Sequence, residues 1–263
     1  MNVKHESIIK IRGLRTQFGE QVIHDGLDLD VRQGEVLGVV GGSGTGKSVL
    51  LRTIIGLNSP QGGTIDVLGT DVHQSSEAER QVLRTRFGVL FQDGALFSSL
   101  TVCENIQVPM REHLRMGIEL MDELAALKIA RVGLPRNAGP KFPSELSGGM
   151  RKRAGLARAL SVDPEIIFLD EPTAGLDPIG AAAFDRLIRE LQSSLGLTVF
   201  MVTHDLDSLT AICDRIAVLV EKKVRVATMA EHMDDPHPWI QEYFKGPRAR
   251  AAMSAGSGQA EMV

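Results

Sequence analysis

Residues 36–48, VLGVVGGSGTGKS, decide how this chain is to be read. Val36 to Val40 form a short apolar run of the kind that becomes a buried strand. Gly41 to Ser48 then fit G-x-x-x-x-G-K-[ST], and SVLLRTIIGL beyond them is helix-like. Glycines at this spacing let successive backbone N–H groups turn inward around an anion, at the positive end of the helix that follows. Lys47 is placed to reach β- and γ-phosphate oxygens, and Ser48 offers a hydroxyl to a divalent cation.

Working outward, other apolar runs stop in the same manner. FGVLF (87–91) runs into Gln92, EIIFL (165–169) into Asp170-Glu171, and LTVFMV (197–202) into Thr203-His204. Helical patterns separate these runs, which makes the core α/β with a parallel sheet. In such sheets ligands sit beyond the carboxyl ends of the strands. Asp170 is then a metal-binding carboxylate, and Glu171 the group that orients or deprotonates an attacking water. Gln92 is a second candidate for the metal or the water, and His204 a hydrogen-bond partner for a terminal phosphate.

The rest of the chain is assigned more coarsely. Strand-like runs are predicted at Ile8–Leu14, Val22–Val31 and Thr64–Leu68, with a polar helix through SSEAERQVLRTRF. From about Asp93 to Leu160 the pattern is mainly helical, and Gly133 with Pro135 ends one helix. Beyond Gly246 the sequence PRARAAMSAGSGQAEMV is small, polar and aperiodic, and is expected to be disordered unless a partner orders it.

Composition bounds the function. The 263 residues carry a net charge of −4, which argues against nucleic-acid binding. Cys103 and Cys213 lack metal-type spacing and are expected to be small buried side chains. The start, MNVKHESIIKIRGL, lacks the apolar segment of a signal peptide, and no run approaches the roughly 18 apolar residues that cross a bilayer. The expectation is a cytosolic protein held at any membrane by something else.

A second phosphate-binding element lies in PSELSGGMRKRAGLARAL (143–160), where a serine and two glycines open a helix. Together, GGSGTGKS, Gln92, LSGGM, IIFLDEP, AGLD and VTHD resemble the nucleotide-binding subunits of ABC transporters, over about Ile8 to Ala227. The resemblance implies a P-loop NTPase with a RecA-like parallel core, an N-terminal antiparallel β subdomain and a helical subdomain inserted at about 93–160. One domain would span 1–245, and 246–263 would be a flexible or partner-docking tail. It also implies ATP and Mg²⁺ as cofactors and a head-to-tail dimer with a second copy of the chain. That dimer accounts for the two phosphate elements, because each would serve a different ATP.

The resemblance also carries residue roles. Phe18 would stack on adenine, with Gly41, Gly42, Ser43, Gly44, Thr45, Gly46, Lys47, Ser48 and Val49 around the phosphates. Ser147, Gly148, Gly149 and Met150 would close on the partner's nucleotide, with Asp177 communicating across the interface. Met150 stands where many relatives have Gln. Ser48, Gln92 and Asp170 are the implied metal ligands, and Glu171, His204, Gln92 and Lys47 the catalytic set.

FQDGALFSSLTVCENI, ELSGGMRKRAGLARAL and HPWIQEYFKGPRARA narrow the resemblance to MlaF-type ATPases of MCE-associated phospholipid systems. That group implies an MlaE-type permease, an MlaD-type MCE protein and an MlaB-type STAS protein as partners, at the cytoplasmic face of a bacterial inner membrane. Leu96, Phe97, Leu100, Val102 and Val108 are read as lining a groove for a permease helix or as packing the helical lobe's own core. Arg151–Arg153 is read as a solvated face or as contacts near nucleotide. Lys222 and Lys223 are placed in a hairpin turn, and Trp239, Tyr243 and Phe244 in an aromatic cluster facing a partner or packing on the chain itself. An importer ATPase for another small solute, or a non-transport ABC ATPase, is the alternative.

Overall fold

The computed structural model describes residues 6–246. The predicted disordered stretch beyond Gly246 therefore lies outside the described residues. Two long strands, β1 (Ser7–Phe18) and β2 (Gln21–Arg32), form a hairpin, and β3 (Val36–Gly41) follows. The phosphate loop leads into α1 (Lys47–Ile54), then β4 (Gly62–Val67) and the short β5 (Thr70–Asp71). Next come α2 (Glu77–Arg84), which starts from a capping box of Ser76 and Glu79, and β6 (Phe87–Leu90).

The helical segment holds α3 (Val102–His113), α4 (Ile118–Arg131) and α5 (Gly148–Ala159). Helix starts at Val102 rather than near Asp93, because residues 92–100 form turns in which Gly94 and Ala95 adopt positive φ. The chain then alternates β7 (Ile166–Asp170), α6 (Pro178–Leu195), β8 (Thr198–Val202), α7 (Leu206–Ile212) and β9 (Arg215–Val220). It finishes with β10 (Lys223–Ala227), α8 (Met229–Asp234) and α9 (Pro238–Lys245).

Six strands make the central sheet in the order β10-β9-β3-β8-β7-β6, parallel except for the β9–β10 hairpin. A second sheet, β2-β1-β4-β5, is antiparallel. Strand β7 shows why the runs are apolar throughout, since its residues alternate between two cores. Ile166 and Phe168 join Ile9, Ile11, Leu27 and Leu37 in the layer that includes the antiparallel sheet. Ile167 and Leu169 face Phe184, Ile188 and Leu191 of α6. Each such fully buried side chain contributes roughly 1.5–3 kcal/mol relative to exposure.

Register sets the site. Leu90 pairs with Leu169, Asp170 with Val202, and Val202 with Val39, so these strands end level with one another. Gln92, Asp170-Glu171, Thr203-His204 and Gly41–Ser48 leave the sheet at the same edge.

Two local expectations change. The β9–β10 turn is Glu221-Lys222, both at positive φ, and Lys223 already belongs to β10. This is a two-residue turn built without glycine, and the Lys222 carbonyl accepts a hydrogen bond from Asp25 N–H. Both cysteines are free and only half-buried.

Candidate functional site

Gly44 and Gly46 adopt positive φ, as the inward-turned loop requires. Gly46 has no alternative: a Cβ there would overlap Ile23 and sit 2.8 Å from Nε2 of His24. Thr45 Oγ1 donates to the Gly42 carbonyl at 2.9 Å, and Lys47 Nζ donates to the carbonyls of Gly41 and Gly42 at 2.8 and 3.1 Å. Burial lowers the lysine's pKa, while Glu171 and Asp170 oppose that shift. Ser43 and Gly44 are exposed, and Val49 is half-buried at the start of α1. Phe18 ends β1 with its ring half exposed, so a face is free for stacking.

Asp170 is buried, and Ser48 Oγ donates to its Oδ1 at 3.4 Å. Burial raises the carboxyl's pKa, against the Ser48 hydrogen bond. A desolvated carboxylate beside a hydroxyl is a hard-oxygen pair that suits Mg²⁺. The described residues contain no cluster of three or more His, Cys, Asp or Glu able to hold a metal by themselves. That fits an ion completed by phosphates and water, as Mg²⁺ usually is.

Glu171 sits at φ 49° with its N–H on the Val202 carbonyl, which ties it across to β8. Its Oε2 is 2.8 Å from Nδ1 of His204, whose ring is largely exposed. The two strand ends are thereby linked by their side chains. Gln92 is exposed, and its side chain makes no hydrogen bond among the described residues.

The signature segment is built as an anion site would be. Ser147 caps α5, accepting from Met150 N–H at 3.3 Å, and Ser147 and Gly148 are exposed. Met150 packs against the helical core instead of facing outward, which suits its apolar side chain. A Cβ on Gly149 would touch Leu176, so the signature borders the loop that ends at Asp177. Asp177 caps α6 by accepting from Gly180 N–H. No hydrogen bond joins this segment to the phosphate loop among the described residues.

Three residues are new at this edge. Lys152, read as on a solvated face or near nucleotide, is buried at the candidate site. Its Nζ donates to the carbonyls of Gln92 (2.8 Å) and Glu171 (3.1 Å), fastening two strand ends to α5. Arg151, which is exposed, and Arg153, which is half-buried, donate to the Leu146 and Val132 carbonyls. His24 is buried against Gly46, with Nδ1 on Thr16 Oγ1, and burial lowers its pKa to about 4. Tyr243 donates its hydroxyl to the His204 carbonyl at 3.1 Å. A basic triplet, a strand histidine and a C-terminal tyrosine carry no local sequence signal for these contacts.

Of the proposed groove residues, Val102 is fully buried in the helical core, and Leu96 packs against that core. Val102 is therefore not available to a partner. Phe97 is 51% exposed and lies under the Arg158 guanidinium, 5.9 Å from the ring centroid.

Comparison with known proteins agrees with this geometry. Residues 24–174 match the ABC transporter family. The chain is 40% identical to the probable ribonucleotide transport ATP-binding protein mkl of Mycobacterium leprae, over 91% of this chain and 69% of that one. It is 38% identical to the intermembrane phospholipid transport system ATP-binding protein MlaF of Haemophilus influenzae, over 87% of this chain and 86% of the relative. The Escherichia coli MlaF is 36% identical, over 91% and 89%. Among solved structures, the dimeric post-hydrolysis cassette MJ0796 bound to ADP and Pi superimposes with a TM-score of 0.76 at 29% identity. That match covers 84% of this chain and 98% of the cassette. Clostridium perfringens cbiO1, part of the cbiONQ transporter complex, gives 0.79 at 28% identity, covering 95% and 99%.

Proposed function

This chain belongs to the ABC transporter family, and from that premise we propose that it hydrolyses ATP to drive phospholipid transport between two bacterial membranes. The Glu171–His204 contact beside the Lys47 loop carries the hydrolytic half of this reading. Glu171 accepts a proton from the attacking water, and His204 steadies that carboxylate and meets the γ-phosphate. Lys47 and the loop amides stabilise charge on the β- and γ-phosphates. Ser48 and Asp170, with Gln92 beside them, would hold Mg²⁺, which supplies charge neutralisation on the phosphates when bound. Phe18 stacks on adenine.

Two copies pack head to tail, with Ser147, Gly148 and Gly149 of each offering free N–H groups to the other's triphosphate. ATP then closes the dimer and hydrolysis releases it, a switch driven by one phosphate group. Dimeric neighbours such as MJ0796 support this arrangement. No helix among the described residues is long and apolar enough to cross a membrane. Its likeness to the MlaF relatives supports work with an MlaE-type permease, an MlaD-type MCE protein and an MlaB-type STAS protein at the inner face of the inner membrane.

The cargo reading rests on the MlaF relatives, which match over 86–89% of their length. The mycobacterial relatives, named for ribonucleotides, are matched over 67–69% of theirs. The native complex decides between them. Phospholipid co-purifying with it, and ATPase stimulation by phospholipid vesicles, support the first reading. Stimulation by ribonucleotides with no bound lipid overturns it.

A further inference from the structure

The chain contains one tryptophan and one tyrosine, and both lie on α9. Trp239 and Tyr243 are one turn apart and stack face to face, with centroids 4.9 Å apart and planes within 13°. From this pair the helix reaches two loops of the nucleotide site. The Tyr243 hydroxyl donates to the carbonyl of His204, the residue whose ring holds Glu171. The Trp239 indole lies over the phosphate loop, with Nε1 3.5 Å from where a Cβ on Gly42 would stand.

The adjoining face of α9 is anchored, and Trp239 and Tyr243 pack along the edge of the same cluster. Ile240 and Phe244 are fully buried with Val40, Leu209 and Val218, so the helix is fixed to the back of β3 and β9. Phe244 also stacks on the buried His232 ring, whose Nε2 meets the Ile216 carbonyl at 2.8 Å. The helix is a rigid mount with two aromatic rings projecting onto the catalytic edge. Burial raises the Tyr243 pKa, with Glu171 and Asp205 pushing the same way, as expected for a phenol beside those carboxylates.

We propose that Tyr243 and Trp239 are positioning residues: α9 sets the His204 loop through Tyr243 and the phosphate loop through Trp239. The inference depends on the ATPase chemistry and not on the cargo. A backbone carbonyl held by a fixed hydroxyl limits how far Thr203–Asp205 can drift, and so keeps the His204 ring on Glu171. A ring against Gly42 limits the phosphate loop in the same way. The roles are separable, because one contact serves the hydrolytic step and the other serves nucleotide binding.

The test uses the full-length chain in its native complex. Tyr243→Phe keeps the ring and its stack and removes one hydrogen bond. It should lower kcat about fivefold and leave KM for ATP nearly unchanged. Trp239→Ala should instead raise KM for ATP, with a smaller effect on kcat. Ile240→Val, buried on the same helix among apolar side chains, should lower Tm and leave both constants alone. As the single tryptophan, Trp239 also gives a direct readout: saturating ATP should shift its emission in the Glu171→Gln background. Unchanged kcat in Tyr243→Phe, or emission insensitive to ATP, would overturn the proposal. So would parallel losses in all three variants that simply follow Tm. A wild-type complex whose turnover does not depend on Glu171 would defeat the hydrolysis reading first.

Discussion

Nδ1 of His204 lies 2.8 Å from Oε2 of Glu171, joining the ends of two adjacent parallel strands. A carboxylate only accepts, so with Glu171 ionised the imidazole donates through Nδ1 and keeps Nε2 for another partner. Glu171 also occupies a left-handed backbone conformation, at φ 49°, that a bulky residue rarely adopts. Removing the charge while keeping the shape tests the assignment. Glu171→Gln should bind ATP normally and accumulate as a dimer in size-exclusion runs with ATP. Its turnover should fall roughly 10²- to 10⁴-fold. Near-native turnover would show that another group handles the water.

Gly148 gives an unusually clean probe of the dimer. A Cβ there meets nothing within 4 Å, and the residue opens α5, where an acidic side chain favours the helix dipole. Within one chain, Gly148→Asp is therefore expected to be neutral or stabilising, by up to about 1 kcal/mol. In the head-to-tail dimer its carboxylate would face the partner's triphosphate. The variant should keep its Tm and still bind ATP, yet lose ATP-driven dimerisation and most turnover. Wild-type turnover would break the link between the signature and the second nucleotide.

The contrast between these residues and Lys152 shows where sequence reading stops. FGVLF, EIIFL and LTVFMV are legible as strands because a strand buried on both faces has no polar alternation to disguise it. The polar residues that follow them then mark the ligand edge by position alone. Strand order is not legible, because long crossovers decide which run lies beside β3. In the sequence Lys152 looks like part of a basic triplet on a solvated face or near nucleotide. Only the packing of α5 against β6 shows that its ammonium is buried between two carbonyls. The aromatic spacing of Trp239 and Tyr243 was visible, but not the loops they touch.

Lys152 therefore makes its own prediction. Lys152→Met fills similar space but leaves the Gln92 and Glu171 carbonyls without their charged donor. The buried loss should cost about 1–3 kcal/mol of stability. Turnover should fall more than ATP affinity, since both anchored residues belong to the proposed hydrolytic set. Thermal unfolding with steady-state kinetics reads both effects. Greater loss of affinity than of turnover would contradict the anchoring role.

Asp185 makes stability depend on pH. It is buried on α6, where Ser208 Oγ donates to its Oδ2 at 2.8 Å and its Oδ1 has no partner among the described residues. Burial raises its pKa from 3.8 to about 6; Asp205 and Asp207 add to the rise, while Ser208 and Arg186 oppose it. Below pH 3.8 the group is neutral folded or unfolded, and it costs nothing. As pH climbs towards 6 the unfolded chain ionises first, so stability is lost across that window and the full cost persists above it. Asp185→Asn should thus stabilise the protein by up to about 3 kcal/mol at pH 8, and by clearly less at pH 5. Equal gains in Tm at the two pH values would contradict this.

Phe97 tests the proposed docking of a permease. The residue lies in the turn region between Gln92 and α3, where the Phe97 N–H and carbonyl are both held by the Asn105 side chain. The backbone is therefore rigid while half of the ring is bare, an arrangement that presents an apolar side chain without exposing a mobile loop. Phe97→Asp removes an exposed ring and little internal packing, so the fold and ATP binding by the free chain should persist. Its carboxylate, even beside the Arg158 guanidinium, would have to be desolvated wherever a permease helix covers the site, which opposes docking. Co-purification of the permease should fall sharply, and lipid-stimulated turnover should drop to the basal rate. If permease binding survives while ATP affinity is lost, the segment serves the nucleotide pocket and the docking surface lies elsewhere.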